Sequence, residues 1–186
     1  MIAALHARVT PKQLQEVGPT RIQLEQIICA AQSAPDHGRL KPWRFFVIEG
    51  EARHKLGRLM ASALAQRSPD STSDELAKEA AKPLRAPVIV VIACKVQPSL
   101  KVSALEQVMA VAAAAQNFQL AVHSLGYGCQ WKTGPAAQDP AIKQAFDLAE
   151  ADILIGFMYV GTITQPGPTR DGSLDTSRVS YWSSVL

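Results

Sequence analysis

Ten residues between two apolar segments carry the densest chemistry in this chain. The run Ala34-Pro35-Asp36-His37-Gly38-Arg39-Leu40-Lys41-Pro42-Trp43 combines two prolines, a glycine, an acid, three basic side chains and an indole. Proline fixes φ and removes a backbone donor, so the loop is stiff. Cations and an aromatic ring on a stiff loop suit an anionic, planar ligand. Two other segments offer related groups. Arg8-Val9-Thr10-Pro11-Lys12 sets a hydroxyl between two cations, and Gln130-Trp131-Lys132-Thr133-Gly134 is a polar strand end after a glycine turn. Each cluster also has a plain reading: a solvated basic turn, a proline-stiffened turn anchored by Trp43, and an ordinary strand end. His37 alone reads as a surface or hydrogen-bonded loop histidine. Residue types by themselves leave both readings open.

Other chemistries lack their sequence patterns. The chain has no Gly-x-x-x-x-Gly-Lys-Ser/Thr loop, no Gly-x-Gly-x-x-Gly after a strand and no Gly-x-Ser-x-Gly elbow. His6, His37, His54 and His123 have no metal-ligand spacing, and no cysteine accompanies them. A Ser-His-Asp set stays open but unmarked. Cys29, Cys94 and Cys129 are an odd set, each in an apolar stretch, which predicts buried free thiols in a reducing compartment. The net charge of +3 implies mild attraction to small anions, and there is no dense basic stripe for nucleic acid. Met1 to His6 is too short for a signal peptide, and Val108 to Ala115 is far below a membrane span. The expectation is a soluble cytoplasmic protein with neither a membrane nor a nucleic-acid partner.

The elements that must position these clusters can be read in outline. With 186 residues, 47% hydrophobic and 19% charged, the chain suits one domain over residues 1–186. No internal repeat is evident. Thr20 caps a helix predicted to run to about Ser33, with Leu24, Ile27, Ile28 and Ala31 on one face. Phe45 to Ile48 predicts a strand, Glu51 to about Gln66 a helix, and Asp74 to Pro83 a shorter helix after a Ser68–Ser73 loop. Val88 to Ile92 is β-branched throughout and predicts a central strand covered on both faces. Ser103 to Leu125 predicts the longest helix; its polar residues do not gather on one face, as in helices buried in a core or against a second subunit. Gly126-Tyr127-Gly128 closes it, and Cys129 to Trp131 predicts a short strand. Asp139 and Pro140 open a helix over Ala141 to Phe146, and Ile153 to Gly161 predicts another buried strand. The tail from Thr164 is rich in proline and glycine yet ends in Val179, Tyr181, Trp182, Val185 and Leu186, which predicts docking, for instance on a partner subunit. Helices and strands do not alternate regularly, so the fold class is an α+β sandwich with one central mixed or antiparallel sheet flanked by helices.

In order along the chain, these segments resemble the nitroreductase superfamily, and in particular its short, single-domain bacterial branch of YdjA type. Arg8-Val9-Thr10 matches the family's opening Arg-Arg-Ser-like segment. Ala34-Pro35-Asp36 with Pro42-Trp43 matches its Ala-Pro-(Ser/Asp)-x-x-x-x-x-Pro-Trp segment, and Arg44 to Ile48 the strand that follows. Gln116 to Ala121, then Leu125 to Gly128 and Trp131, are similar to its central helix and next strand; Gly156 to Gly161 is similar to its last core strand.

The resemblance implies a nitroreductase-like sandwich, a homodimer with an extended C-terminal segment, and FMN bound non-covalently between subunits. Carried over by position, Arg8 and Thr10 meet the phosphate and ribityl chain, with Val9 contributing backbone only. Lys12 lies near the pyrimidine side of the ring and stabilises the charge of the reduced flavin. Ser33 and His37 contact flavin, His37 reaching the partner subunit's cofactor, and Gln130, Trp131 and Lys132 line it. Two positions depart from the pattern: Val9 replaces a basic or polar residue, and Lys132 replaces an arginine, keeping the charge but losing the fork. The implied activity is NAD(P)H-dependent reduction of nitroaromatic, quinone or similar small-molecule acceptors by a ping-pong scheme, the hydride chemistry being the flavin's and no protein acid–base group being required. A non-catalytic FMN carrier or sensor is the alternative; oxidase or dehalogenase-like chemistry is a third reading that fold analogy does not separate.

Overall fold

A computed structural model describes residues 2–169 and 172–182. The elements in chain order are α1 (Ile2–Ala7), β1 (Gln13–Gln15), α2 (Arg21–Ala31), β2 (Trp43–Glu49), α3 (Glu51–Arg67), α4 (Ser73–Ala81), β3 (Val88–Cys94), α5 (Ala104–Ser124), β4 (Gly128–Lys132), α6 (Gly134–Gln138), α7 (Pro140–Ala145) and β5 (Ile153–Gln165). Short 3-10 turns cover His37–Arg39, Lys82–Arg85 and Thr176–Arg178.

The five strands form one wholly antiparallel sheet. β3 lies between β2 and β5, and the other edge of β5 receives β4 and then β1 along its length. Alternation along β3 fixes two layers. Val88, Val90, Ile92 and Cys94 point to the layer of α2 and α5; Ile89, Val91 and Ala93 point to the layer of α3, α6 and α7. All seven residues are buried, as the unbroken apolar run demands. Each large side chain so enclosed contributes about 1.5–3 kcal/mol.

α5 is the central support of the first layer. Ser103 accepts from the Glu106 N–H while the Glu106 carboxylate accepts from the Ser103 N–H, so two otherwise unpaired donors at the helix start are satisfied. Farther along, Val111, Ala114, Ala115, Phe118 and Val122 are fully buried. Gln107 is buried too, and its amide donates to the Gln97 carbonyl (2.8 Å) and accepts from the Gln97 N–H (2.9 Å). That pair fastens the β3–α5 loop to the helix.

Three features differ from the sequence expectation. α2 stops at Ala31, short of Ser33, because the chain turns before Pro35. β5 runs on to Gln165, where β1 supplies its partner. Cys29, expected buried, is exposed: α2 turns Leu24, Ile27 and Ala31 inward, and Cys29 falls on the outer arc. Val185 and Leu186 lie outside the described residues; Val179, Tyr181 and Trp182 are exposed on the protomer.

Candidate functional site

The first and third clusters meet. Arg8, Thr10, Gln116, Gln119, Trp131 and Thr133 border an open cleft of about 390 Å³ between the end of α1, the middle of α5 and the end of β4. Arg8 is 6% exposed, held at the close of α1 by its N–H to the Ala4 carbonyl (3.1 Å). Gln119 is also 6% exposed and donates to Gln116 at 3.2 Å. A buried guanidinium, a hydroxyl and amides around one opening form a donor set for an anionic group such as a phosphate.

The backbone of the first cluster is tied to the third. The Gln130 amide donates to the carbonyls of Pro11 (2.9 Å) and Lys12 (3.1 Å), and the Lys12 N–H donates to Gln165 at 2.9 Å. The Lys12 residue is exposed and Val9 half-buried. Gly167 crosses Thr10 so closely that a Cβ there would stand 1.9 Å from the Thr10 carbonyl oxygen. Trp131 is set the same way: its indole N–H donates to Ile155 at 3.1 Å, and a Cβ on Gly156 would lie 2.3 Å from that nitrogen. Glycine at 156 lets the ring lie against β5.

Strand alternation separates Lys132 from Arg8. Cys129 and Trp131 face the α5 layer, whereas Gln130 and Lys132, opposite Tyr159 and Phe157, face the α3 layer. There Lys132 borders a second cleft of about 400 Å³ with Glu79, Lys82 and Arg85. Trp131 and Thr133 border both clefts and join them.

The second cluster lies elsewhere on the protomer. His37 Nδ1 is 3.1 Å from the Glu106 carboxylate, at the start of α5. Glu106 and Gln116 are ten residues apart on that helix, about 15 Å at 1.5 Å per residue. The loop is held by the Lys41 N–H to Asp36 (2.7 Å) and the Gln97 amide to the Leu40 carbonyl (2.6 Å). Gly38, Arg39 and Lys41 all have left-handed backbone (φ 73°, 55° and 48°), which for the two cations costs roughly 1–3 kcal/mol each. Ser33, at the end of α2, is exposed and donates to the Ala30 carbonyl at 2.7 Å. Neither Ser33 nor His37 reaches the Arg8 cleft within this chain.

Two residues of the cleft, both on α5, fall outside the three sequence clusters. Gln116 and Gln119 carry a readable signal, two amides at i,i+3 on an otherwise apolar helix, but its polar positions as a whole suggest no face.

The model of the Nitroreductase family matches residues 5–162. The chain belongs to the nitroreductase family. As a nitroreductase-family chain it is 34% identical over 170 residues to the Escherichia coli (strain K12) protein named "Putative NAD(P)H nitroreductase YdjA", covering 87% of this chain and 92% of that one. A crystal structure of a nitroreductase-like family protein from Bacillus cereus superposes with a TM-score of 0.83 at 22% identity, covering 97% and 95% of the two chains. An FMN-dependent nitroreductase from Clostridium difficile R20291 superposes with a TM-score of 0.71 at 21% identity, covering 97% and 98%.

The two buried thiols of this nitroreductase-family protein are not prepared for catalysis. Burial pushes the Cys129 thiol up to about 12 despite the nearby Arg8 charge, and burial with the Asp152 carboxylate pushes Cys94 up to about 11. Both stay protonated and unreactive at neutral pH. Among the described residues, no group of three or more His, Cys, Asp or Glu could hold a metal ion, and no helix is long and apolar enough to cross a membrane.

Proposed function

We propose that this nitroreductase-family chain is an FMN-dependent oxidoreductase of the cytoplasm. It takes hydride from NAD(P)H and passes electrons to nitroaromatic, quinone or similarly conjugated small molecules. The observation that carries the reading is the buried Arg8 beside Thr10 and Gln119 at a cleft that Trp131 also borders. The names of the Escherichia coli and Clostridium difficile proteins, which specify NAD(P)H and FMN, support it.

When bound, FMN supplies the hydride chemistry. The residues here supply binding and charge. Arg8 offers a guanidinium fork to the phosphate, and Thr10 a hydroxyl to the phosphate or ribityl chain. Val9 contributes its backbone only. Gln130, Trp131 and Lys132 line the ring, and Trp131 shields one side of it from water. Lys12 supplies positive charge toward the pyrimidine side, where a reduced ring carries negative charge.

Ser33 and His37 complete the site from the second subunit of a homodimer, because about 15 Å of α5 separates His37 from the cleft of its own chain. Leu105 and Met109 on α5, together with Tyr181 and Trp182 in the tail, are exposed large apolar groups that such a dimer would cover. Donor and acceptor use one opening in turn, which makes the kinetics ping-pong.

The test is an absorption spectrum of the purified protein followed by steady-state NADPH or NADH oxidation with a nitroaromatic and a quinone. Flavin bands, turnover and parallel double-reciprocal lines are expected. A colourless protein that does not take up FMN ends the proposal; a yellow protein that neither nicotinamide reduces is a carrier instead.

A further inference from the structure

A groove of about 420 Å³ between the last turn of α2 and the start of β2 shares no residue with the two clefts described above. Ile28, Trp43 and Phe45 form its apolar, partly aromatic wall, Gln32 adds an amide, and Lys41 and Arg44 bring two cations. Among the described residues, no acid borders it. The two cations are not equivalent. Arg44 lays its guanidinium on the carbonyls of Trp43 (2.8 Å) and Lys41 (3.2 Å) and so braces the wall. The Lys41 residue is exposed and, among the described residues, its ammonium pairs with no acid. Its backbone is left-handed (φ 48°), a conformation that favours glycine, and is held there by its N–H donating to the Asp36 carboxylate at 2.7 Å. A strained backbone that its surroundings keep in place points to a function at that position. An aromatic wall beside an uncommitted cation suits a flat ring that carries a phosphate.

We propose that this groove receives the adenosine end of the nicotinamide donor, and that Lys41 binds the 2′-phosphate that distinguishes NADPH from NADH. The proposal rests on the flavin reading above, in which His37 meets the cofactor of the second subunit. Lys41 follows His37 on the same loop, and its Cα lies at most ~14 Å from that of His37. An acceptor has to touch the flavin ring, whereas a dinucleotide donor also has a remote end, and in NADPH that end bears the additional phosphate. Arg39 is a matched control: it has the same charge, is exposed and is left-handed (φ 55°), but does not border the groove. Glycine suits both backbones, so Lys41→Gly and Arg39→Gly each remove one charge without straining the loop.

The experiment compares wild type, Lys41→Gly and Arg39→Gly, with NADPH and NADH as donors and menadione as acceptor. Flavin content is read from absorbance, and binding of 2′,5′-ADP and of 5′-AMP, which lacks the 2′-phosphate, is measured by calorimetry on the same preparations. Wild type is expected to favour NADPH. Lys41→Gly is expected to lower kcat/KM for NADPH by about fivefold, the upper size of an exposed ion pair, and added salt should shrink the difference. NADH kinetics and flavin content should stay within about twofold of wild type, as should both donors in Arg39→Gly, since neither case loses a phosphate contact. A wild type that does not favour NADPH, a loss shared equally by both donors, no loss at all, or the same loss in Arg39→Gly overturns the assignment. If the protein binds no flavin or oxidises neither donor, the flavin reading fails separately. Tighter binding of 2′,5′-ADP than of 5′-AMP by wild type, lost in Lys41→Gly alone, would then still support Lys41 as the 2′-phosphate contact, and any other binding pattern would overturn it.

Discussion

Replacing Arg8 by methionine separates a phosphate contact from simple packing. The arginine is 6% exposed, so its stem is enclosed, and methionine keeps most of that volume while removing charge and donors. A hydrogen bond to a charged group contributes about 1.5–3 kcal/mol, which corresponds to roughly a 10- to 150-fold change in an equilibrium constant. If Arg8 grips the phosphate of FMN, Arg8→Met weakens FMN binding by that factor. Riboflavin has the same ring and ribityl chain without the phosphate, so its affinity should change by less than about threefold, the effect of packing alone. Thr10→Val removes a neutral partner of the same group and should cost about 0.5–1.5 kcal/mol, with the same preference for FMN over riboflavin. Because both side chains border one cleft, their effects should be non-additive. The assay is fluorescence titration of flavin-free protein with each flavin, checked by thermal unfolding. Equal losses for FMN and riboflavin, or no loss for either, would refute the assignment.

Other expectations follow from single contacts. Gly156→Ala puts a Cβ 2.3 Å from Trp131 Nε1 and 2.8 Å from the Lys132 carbonyl oxygen, so it should cost about 1–3 kcal/mol in denaturant unfolding and weaken FMN retention. Thiol titration of native protein should find the exposed Cys29 reacting fast, with Cys94 and Cys129, whose thiols burial pushes up to about 11 and about 12, reacting only on unfolding. Ser103→Ala removes the start of α5 and should lower stability by about 1 kcal/mol. The Ser103 N–H and hydroxyl, and then His37, hold the Glu106 carboxyl below its ordinary range, so its contribution is present above that range and fades as pH falls through the lowered value. The Ser103→Ala deficit should therefore narrow in acid, as read by unfolding at pH 7 and pH 3.

Long, strongly patterned elements were legible from sequence. β3 could be read because five consecutive β-branched residues suit only a strand buried on both faces, and α5 because Ser103 and Glu106 announce its start. β1 was not, since Gln-Leu-Gln has no apolar run and is a strand only because the far end of β5 lies beside it. α6 opens with Gly134-Pro135, which reads as a turn until α3 and β5 pack on Ala136 and Ala137. Apolar neighbours do not reveal which side of a helix a residue takes, so the sequence pattern around Cys29 does not distinguish its exposed position from a buried one. The candidate site divides similarly. Arg8, Thr10 and Trp131 are brought together by the fold, but the strand period that turns Lys132 to the opposite face becomes informative only once the register with Phe157 is known.

The unbroken helical run of α5 from Glu106 to Gln119 limits how this chain can change in length. Each residue added to an α-helix advances it by 1.5 Å and rotates everything beyond it by about 100°. One insertion between Glu106 and Gln116 would swing both glutamines away from Arg8 while His37 stayed with Glu106. Only a near-complete turn would restore the facing, and it would move the amides about 5.4 Å out of place. Surface turns such as Ser68–Ser73 can absorb extra residues at small cost, but the spacer inside this helix has a single permitted size.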